Sequence, residues 1–190
     1  PLKNICGIPM LRHVIERSKL YKKWNYLAVA TCDKEIKNFC DSINFPCIIT
    51  SKKHKRALDR VKEAIEKLPF KIKNNDIVLN VQGDEPMMRP DMISKTIEPF
   101  KKSLKVNATI LCMQIVNKEQ YLNPDIVKVL HNLKNEIIYT SRSPVPYSKK
   151  FSVSLGAKRI YGIFAFKWKY LTLFSNLKES PLEIKESCDS

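Results

Sequence analysis

At 190 residues, with 44% apolar content, the chain is long enough to bury the core of one domain and has the composition of an ordinary globular protein. No apolar run approaches the roughly 20 residues that a membrane helix needs, and no signal peptide opens the sequence as given, so neither a membrane partner nor export is expected. The net charge of +15 raises nucleic acid as a partner, but lysine is spread over nearly every segment, and the longest basic cluster, Lys52-Lys53-His54-Lys55-Arg56, comes without interleaved aromatics, so the expected partner is an anionic small molecule and not nucleic acid.

In chain order, Met10-Leu11, Val14-Ile15 and Ser18 recur at helical spacing, which predicts an amphipathic helix over about 9–20 with Pro9 at its start. Tyr26 to Ala30 reads as a strand, and Asp33 caps a helix whose inner face is Ile36, Phe39, Cys40 and Ile43. A short strand at Pro46 to Ile49 precedes a helix marked by Ala57, Leu58, Val61, Ala64, Ile65 and Leu68. The strand 76–82 follows, then a helix opened by Pro90 with Ile93, Ile97 and Phe100 inward. Strand–helix alternation three times over, with short links, argues for a parallel sheet wrapped by helices. Right-handed crossovers then bring the strand ends near residues 31, 50 and 82 to one edge.

After residue 105 the pattern changes. Asn107 to Val116, Ile126 to His131, Glu136 to Ser141 and Arg159 to Phe166 read as strands, with a hairpin turn at Leu133 to Glu136. Pro144-Val145-Pro146 forces an extended loop, and short helices are expected at about 167–175 and 181–189. The six cysteines lie scattered, with no C-x-x-C pair and no histidine at zinc spacing. They read as reduced thiols of a cytoplasmic protein.

The most informative stretch is Asn80-Val81-Gln82-Gly83-Asp84-Glu85-Pro86. It follows Ile77-Val78-Leu79, a β-branched run bounded by turn residues, as in a strand covered on both faces. A glycine and two carboxylates therefore sit at a strand's carboxyl end, where ligands bind in open α/β sheets. A carboxylate there suits Mg²⁺, which works with one or two carboxylates plus substrate phosphates. A helix cap or turn residue is the plainer alternative for Asp84.

These residues resemble the cytidylyltransferases that make CMP-3-deoxy-manno-octulosonate and related CMP-sugars. The motif stands unbroken at Asn80 to Pro86, supported by Cys6 to Met10, His13 to Arg17, Ala28 to Thr31 with Asp33, and His54 with Asp59-Arg60. Further matches are Asn123-Pro124-Asp125 with Val127 to Val129, Tyr139 with Ser141-Arg142, Gly162-Ile163, and Ser180 to Glu183. The resemblance implies a Rossmann-like, GT-A-like α/β three-layer sandwich of the nucleotide-diphospho-sugar transferase kind, with a mainly parallel sheet and a smaller β-rich insertion. It implies transfer of CMP from CTP to an acidic 2-keto sugar, with release of pyrophosphate, for lipopolysaccharide synthesis. Asp84 is then the catalytic metal ligand for Mg²⁺. His54 and Arg60 approach the nucleotide, and Gln82, Arg142 and Glu183 bind the sugar acid. Residue by residue the plainer alternatives are an exposed histidine, a strand-end amide, a surface arginine and a helix-first-turn glutamate.

Members of this family open with a phosphate-binding loop ending in Gly-Lys-Pro-Leu and carry a second metal-binding aspartate near the C-terminus. Against them, residues 1–190 read as a single incomplete domain lacking both ends, expected to have little activity by itself; a homodimer is expected when full length. Arg56-Ala57 stand where the octulosonate enzymes have Ser-Gly, and Ile160 and Phe164 where they have His and Tyr. Loss of polar partners points to an amino- or deoxy-substituted sugar acid. A CMP-sialate-type enzyme, a basic nucleic-acid-binding module and an inactive relative are the rival readings.

Overall fold

The computed structural model describes residues 1–186 and divides the chain into two compact units. The first comprises residues 1–109 and 162–177, the second residues 110–161 and 178–186.

The first unit opens with a feature that periodicity does not reveal, a hairpin of β1 (Asn4–Ile5) and β2 (Ile8–Pro9). Its two turn residues, Cys6 and Gly7, both take positive φ, at 50° and 79°. That is the geometry whose twist matches flanking antiparallel strands. Helix α1 (Met10–Lys19) follows directly, burying Leu11, Val14, Ile15 and Ser18 at the expected spacing. Asp33 caps α2 (Lys34–Ser42) by accepting the Glu35 N–H at 2.9 Å. Around these helices, Leu11, Ile15, Cys40 and Phe45 form a core cluster against which Val29, Ile36 and Cys47 pack.

Strands β3 (Val29–Thr31) and β4 (Cys47–Ile49) pair in parallel, as the alternation of elements predicts. Helix α3 (Ala57–Glu66) packs on β3, and β5 (Ile77–Val81) leads through the motif into α4 (Pro90–Lys102). The partner of β5 comes from far along the sequence. Strand β9 (Lys158–Lys167) runs antiparallel to it, with Ile77 opposite Lys167 and Val81 opposite Ile163. Among the described residues the pairings with a defined register are parallel only at β3–β4. The mainly parallel sheet expected from residues 26–100 was inferred from chain order, whereas β9 re-enters the unit from the opposite direction, which its own residues do not encode. Helix α6 (Trp168–Asn176) closes the unit against α3 and β5.

The second unit is β-rich. Strand β6 (Ala108–Gln114) leads into it, and α5 (Lys118–Leu122) is capped by Asn117, whose side chain accepts the Gln120 N–H at 2.8 Å. Strands β7 (Lys128–His131) and β8 (Ile137–Ser141) form the expected hairpin, its turn tied by Asn132 Oδ1, which accepts the Lys134 and Glu136 N–H groups at 2.9 Å each. The opening residues of β9 pair with β7, and Ile115, Tyr121 and Ala157 form a core cluster. The last helix, α7, spans Pro181–Glu186; residues 187–189 of the helix expected there lie outside the described residues. No helix among the described residues is long and apolar enough to cross a membrane.

Candidate active site

Where β5 ends, its ladder with β9 continues one step further. Gln82 N–H donates to Gly162 O at 2.8 Å, and the chain then turns, with Glu85 N–H donating to Gln82 O at 3.2 Å and Met88 N–H to Glu85 O at 3.1 Å. The half-buried Glu85 side chain folds back, its Oε1 accepting Gly162 N–H at 2.8 Å. Asp84, between Gln82 and Glu85, is exposed, and its carboxylate has no hydrogen-bond or ion-pair partner among the described residues. Four residues before it, on β5, the Nδ2 of Asn80 is buried without a partner among the described residues, a donor left unused by the fold. The turn thus presents a fixed backbone and an unengaged carboxylate.

Asp84 fits a hard divalent cation as one oxygen ligand. No cluster of three or more His, Cys, Asp or Glu suited to a metal occurs among the described residues. Ligands beyond Asp84 would include substrate phosphates, as is usual for Mg²⁺ at triphosphates.

A second group of predicted residues lies on the strap after β4. Arg60, on α3, donates from Nη1 to Thr50 Oγ1 at 2.7 Å and to Ser51 O at 3.2 Å. Glu63, one turn along, accepts the Ser51 N–H at 2.9 and 3.1 Å, pairs with Lys67 at 2.6 Å and bonds His54 Nε2. The Lys67 ammonium, the Ser51 N–H and the His54 ring together hold the Glu63 carboxyl down at about 2. Arg60 and Glu63, both on α3, therefore hold the strap that carries His54. Sequence reasoning passed over Glu63, although its i+3 spacing from Arg60 puts both on one helix face.

Two of the residues that differ from the octulosonate pattern are absorbed by the core. Arg56 is 5% exposed, donating from Nη1 to Leu177 O at 3.1 Å, with its guanidinium 5.0 Å from the Phe174 ring centroid. Phe164, 6% exposed, pairs with Asn80 across the sheet. Another of them, Ile160, donates its backbone N–H to Val127 O at 2.9 Å.

Arg142 and Glu183 belong to the second unit. Glu183 forms a reciprocal capping box with Ser180: its N–H donates to Ser180 Oγ at 3.1 Å and its Oε2 accepts the Ser180 N–H at 3.2 Å. Arg142 Nη1 donates to Pro124 O at 2.9 Å and Nε to Glu186 O, while its N–H donates to Glu186 Oε2 at 2.8 Å. Glu186 also accepts from Tyr139 (2.9 Å) and Ser141 (2.8 Å); the Arg142 N–H, then these two hydroxyls, lower its pKa, and the Glu186 carboxylate in turn raises that of Tyr139. Beneath them Lys128, fully buried, donates to Asn123 O at 2.6 Å and Arg142 O at 2.8 Å. Burial, then Arg142, lowers the Lys128 pKa. Glu186 was not legible beforehand, since a short helix with one more glutamate carries no signal of its own.

Residues 1–188 match the cytidylyltransferase family. The 3-deoxy-manno-octulosonate cytidylyltransferase of Syntrophus aciditrophicus is 32% identical over 189 residues, covering 100% of this chain and 75% of that protein. The enzyme of the same name from Fusobacterium nucleatum is 35% identical, with the same coverage. A solved structure of CMP:2-keto-3-deoxy-manno-octonic acid synthetase complexed with CTP superposes with a TM-score of 0.86 at 31% identity, over 100% of this chain and 76% of that one.

Proposed function

This chain belongs to the cytidylyltransferase family, and we propose that it transfers CMP from CTP to the anomeric hydroxyl of 3-deoxy-manno-octulosonate, releasing pyrophosphate, as a step of lipopolysaccharide synthesis in the cytoplasm. The observation that carries this reading is the exposed, unengaged carboxylate of Asp84 on a hydrogen-bonded turn at the end of β5. Attack of a hydroxyl on the α-phosphate brings two anions together, so positioning and charge neutralisation dominate the barrier. Asp84 would hold Mg²⁺ with the triphosphate oxygens, and the ion when bound neutralises charge at the α-phosphate.

The remaining roles fall to side chains with fixed surroundings. On the nucleotide side, Glu63 orients His54, and Arg60 pins the strap through Thr50 and Ser51. On the sugar side, Gln82 hydrogen-bonds the acid. Arg142 offers its guanidinium to the carboxylate, a pairing suited to its planar fork, and the capping box holds Glu183 as a hydroxyl acceptor. Burial of Arg56 and Phe164 favours octulosonate over a substituted analogue, because these two residues fill core and not pocket.

The test is pyrophosphate release from CTP and Mg²⁺ across a panel of 2-keto sugar acids, including amino- and deoxy-analogues and sialate. Octulosonate is expected to turn over fastest and to require the metal. Faster turnover of sialate or an analogue would overturn the substrate assignment, and no release with any acid would overturn the activity. We further propose a homodimer, supported by exposed Leu133, Ile137 and Ile138 on the β7–β8 hairpin; sedimentation at a single monomer mass would refute it.

A further inference from the structure

The motif turn closes on β9 through a ring of three hydrogen bonds. Gln82 N–H donates to Gly162 O at 2.8 Å, Gly162 N–H to Glu85 Oε1 at 2.8 Å, and Glu85 N–H to Gln82 O at 3.2 Å. Two of the three are backbone bonds; the third depends on one side chain. Gly83 and Asp84 are the two residues enclosed between the ring's motif members. The ring also fills the space above Gly162. A Cβ built there would lie 2.6 Å from Gln82 Oε1, 2.8 Å from Glu85 Oε1 and 2.9 Å from Glu85 Cγ, closer than real Cβ atoms come. Gly162 is therefore a glycine for lack of room: the Gln82 amide and the Glu85 carboxylate occupy the place a side chain would take.

We propose that Glu85 is a positioning residue for cytidylyl transfer. By accepting the Gly162 N–H, its carboxylate locks the turn onto β9, so that the Gln82 amide and the Asp84 carboxylate are presented in one fixed arrangement, with Gly162 providing the space. The inference rests on the activity proposed above and adds to it a residue whose task is geometric. β5 and β9 pair over five registered positions without Glu85, so removing its side chain loosens the turn and leaves the sheet. Rigid backbone beneath an unengaged head group is what a site needs when misplacement by a fraction of an ångström costs rate.

The test uses Glu85→Ala, Glu85→Gln and Gly162→Ala in the protein as its organism makes it, with steady-state kinetics for both substrates, melting temperature and amide hydrogen exchange at Gly162. Glu85→Ala and Gly162→Ala are expected to raise KM for the sugar acid about tenfold and to lower kcat, while KM for CTP stays within about threefold. Glu85→Gln keeps an oxygen for the Gly162 N–H and is expected to remain within about threefold of the parent on every constant. The Gly162 amide should exchange faster in Glu85→Ala and not in Glu85→Gln. The proposal is overturned if Glu85→Gln is as impaired as Glu85→Ala, if both KM values rise together, or if the exchange rate changes with no kinetic consequence. Absence of cytidylyl transfer in the parent protein would instead defeat the activity assignment, and the exchange measurement would still decide whether Glu85 holds the turn.

Discussion

The turn after β5 and the junction of β8 with α7 draw on similar residues, carboxylates beside strand ends, and leave them in opposite states. At the turn, backbone groups and Glu85 make the hydrogen bonds, and Asp84 is left exposed with no partner among the described residues. At the junction, Glu186 collects Tyr139, Ser141 and the Arg142 N–H, and the Arg142 guanidinium is itself bonded to Pro124 O and Glu186 O, with buried Lys128 beneath. A side chain with unspent bonding capacity contributes to function without contributing to the fold. One woven into a network contributes to both, and its loss is felt twice.

Substitutions can break this contrast, and the largest effect belongs to Asp84. Asp84→Asn should lower kcat by about a hundredfold or more, from loss of a charged metal ligand, with the melting temperature unchanged within about 1 °C. Substantial melting loss in that variant would show that Asp84 is part of the fold after all. Lys128→Met, which keeps the aliphatic stem but strips the donor from two carbonyls, should cost about 3 kcal/mol of stability in denaturant titration.

Smaller effects sharpen the comparison. Arg142→Ala should reduce stability by about 2 kcal/mol and also raise the sugar-acid KM, a double signature that Asp84→Asn lacks. A purely kinetic effect there would separate Arg142 from the scaffold. The gentlest is Glu63→Gln. The Glu63 carboxyl is held at about 2 in the folded protein against an ordinary 4.5, so the folded state binds its proton less readily than the unfolded chain. Its stabilisation is present above about pH 4.5 and is lost as pH falls toward 2. Melting curves of Glu63→Gln should accordingly lie slightly below those of the parent at pH 7 and converge with them between pH 4.5 and pH 2. A gap that persists at the lowest pH would assign the difference to shape and not to charge.

Much of the first unit was legible because its elements are local. The 3.6-residue recurrence of Leu11, Val14, Ile15 and Ser18 gave α1 within a residue of its bounds, and Asp33 gave the start of α2 through a cap that depends on two residues. The β7–β8 hairpin was legible for the same reason. The β1–β2 hairpin was missed because its strands are too short for a period to register, and its turn uses Cys6 where Asn or Gly is the usual signal. Helix α5 was hidden at five residues.

The sequence by itself determined the family and the motif, and with them the placing of Asp84 at the mouth of a strand, because these rest on residue identities in an unbroken run. Tertiary structure alone decided that β9 lies antiparallel against β5, that Gly162 accommodates Glu85, and that Arg142 answers to Glu186. Each of those joins residues more than 40 positions apart. The strength of such a bond depends on an approach that no stretch of chain specifies alone, so it comes into existence only when the whole fold closes.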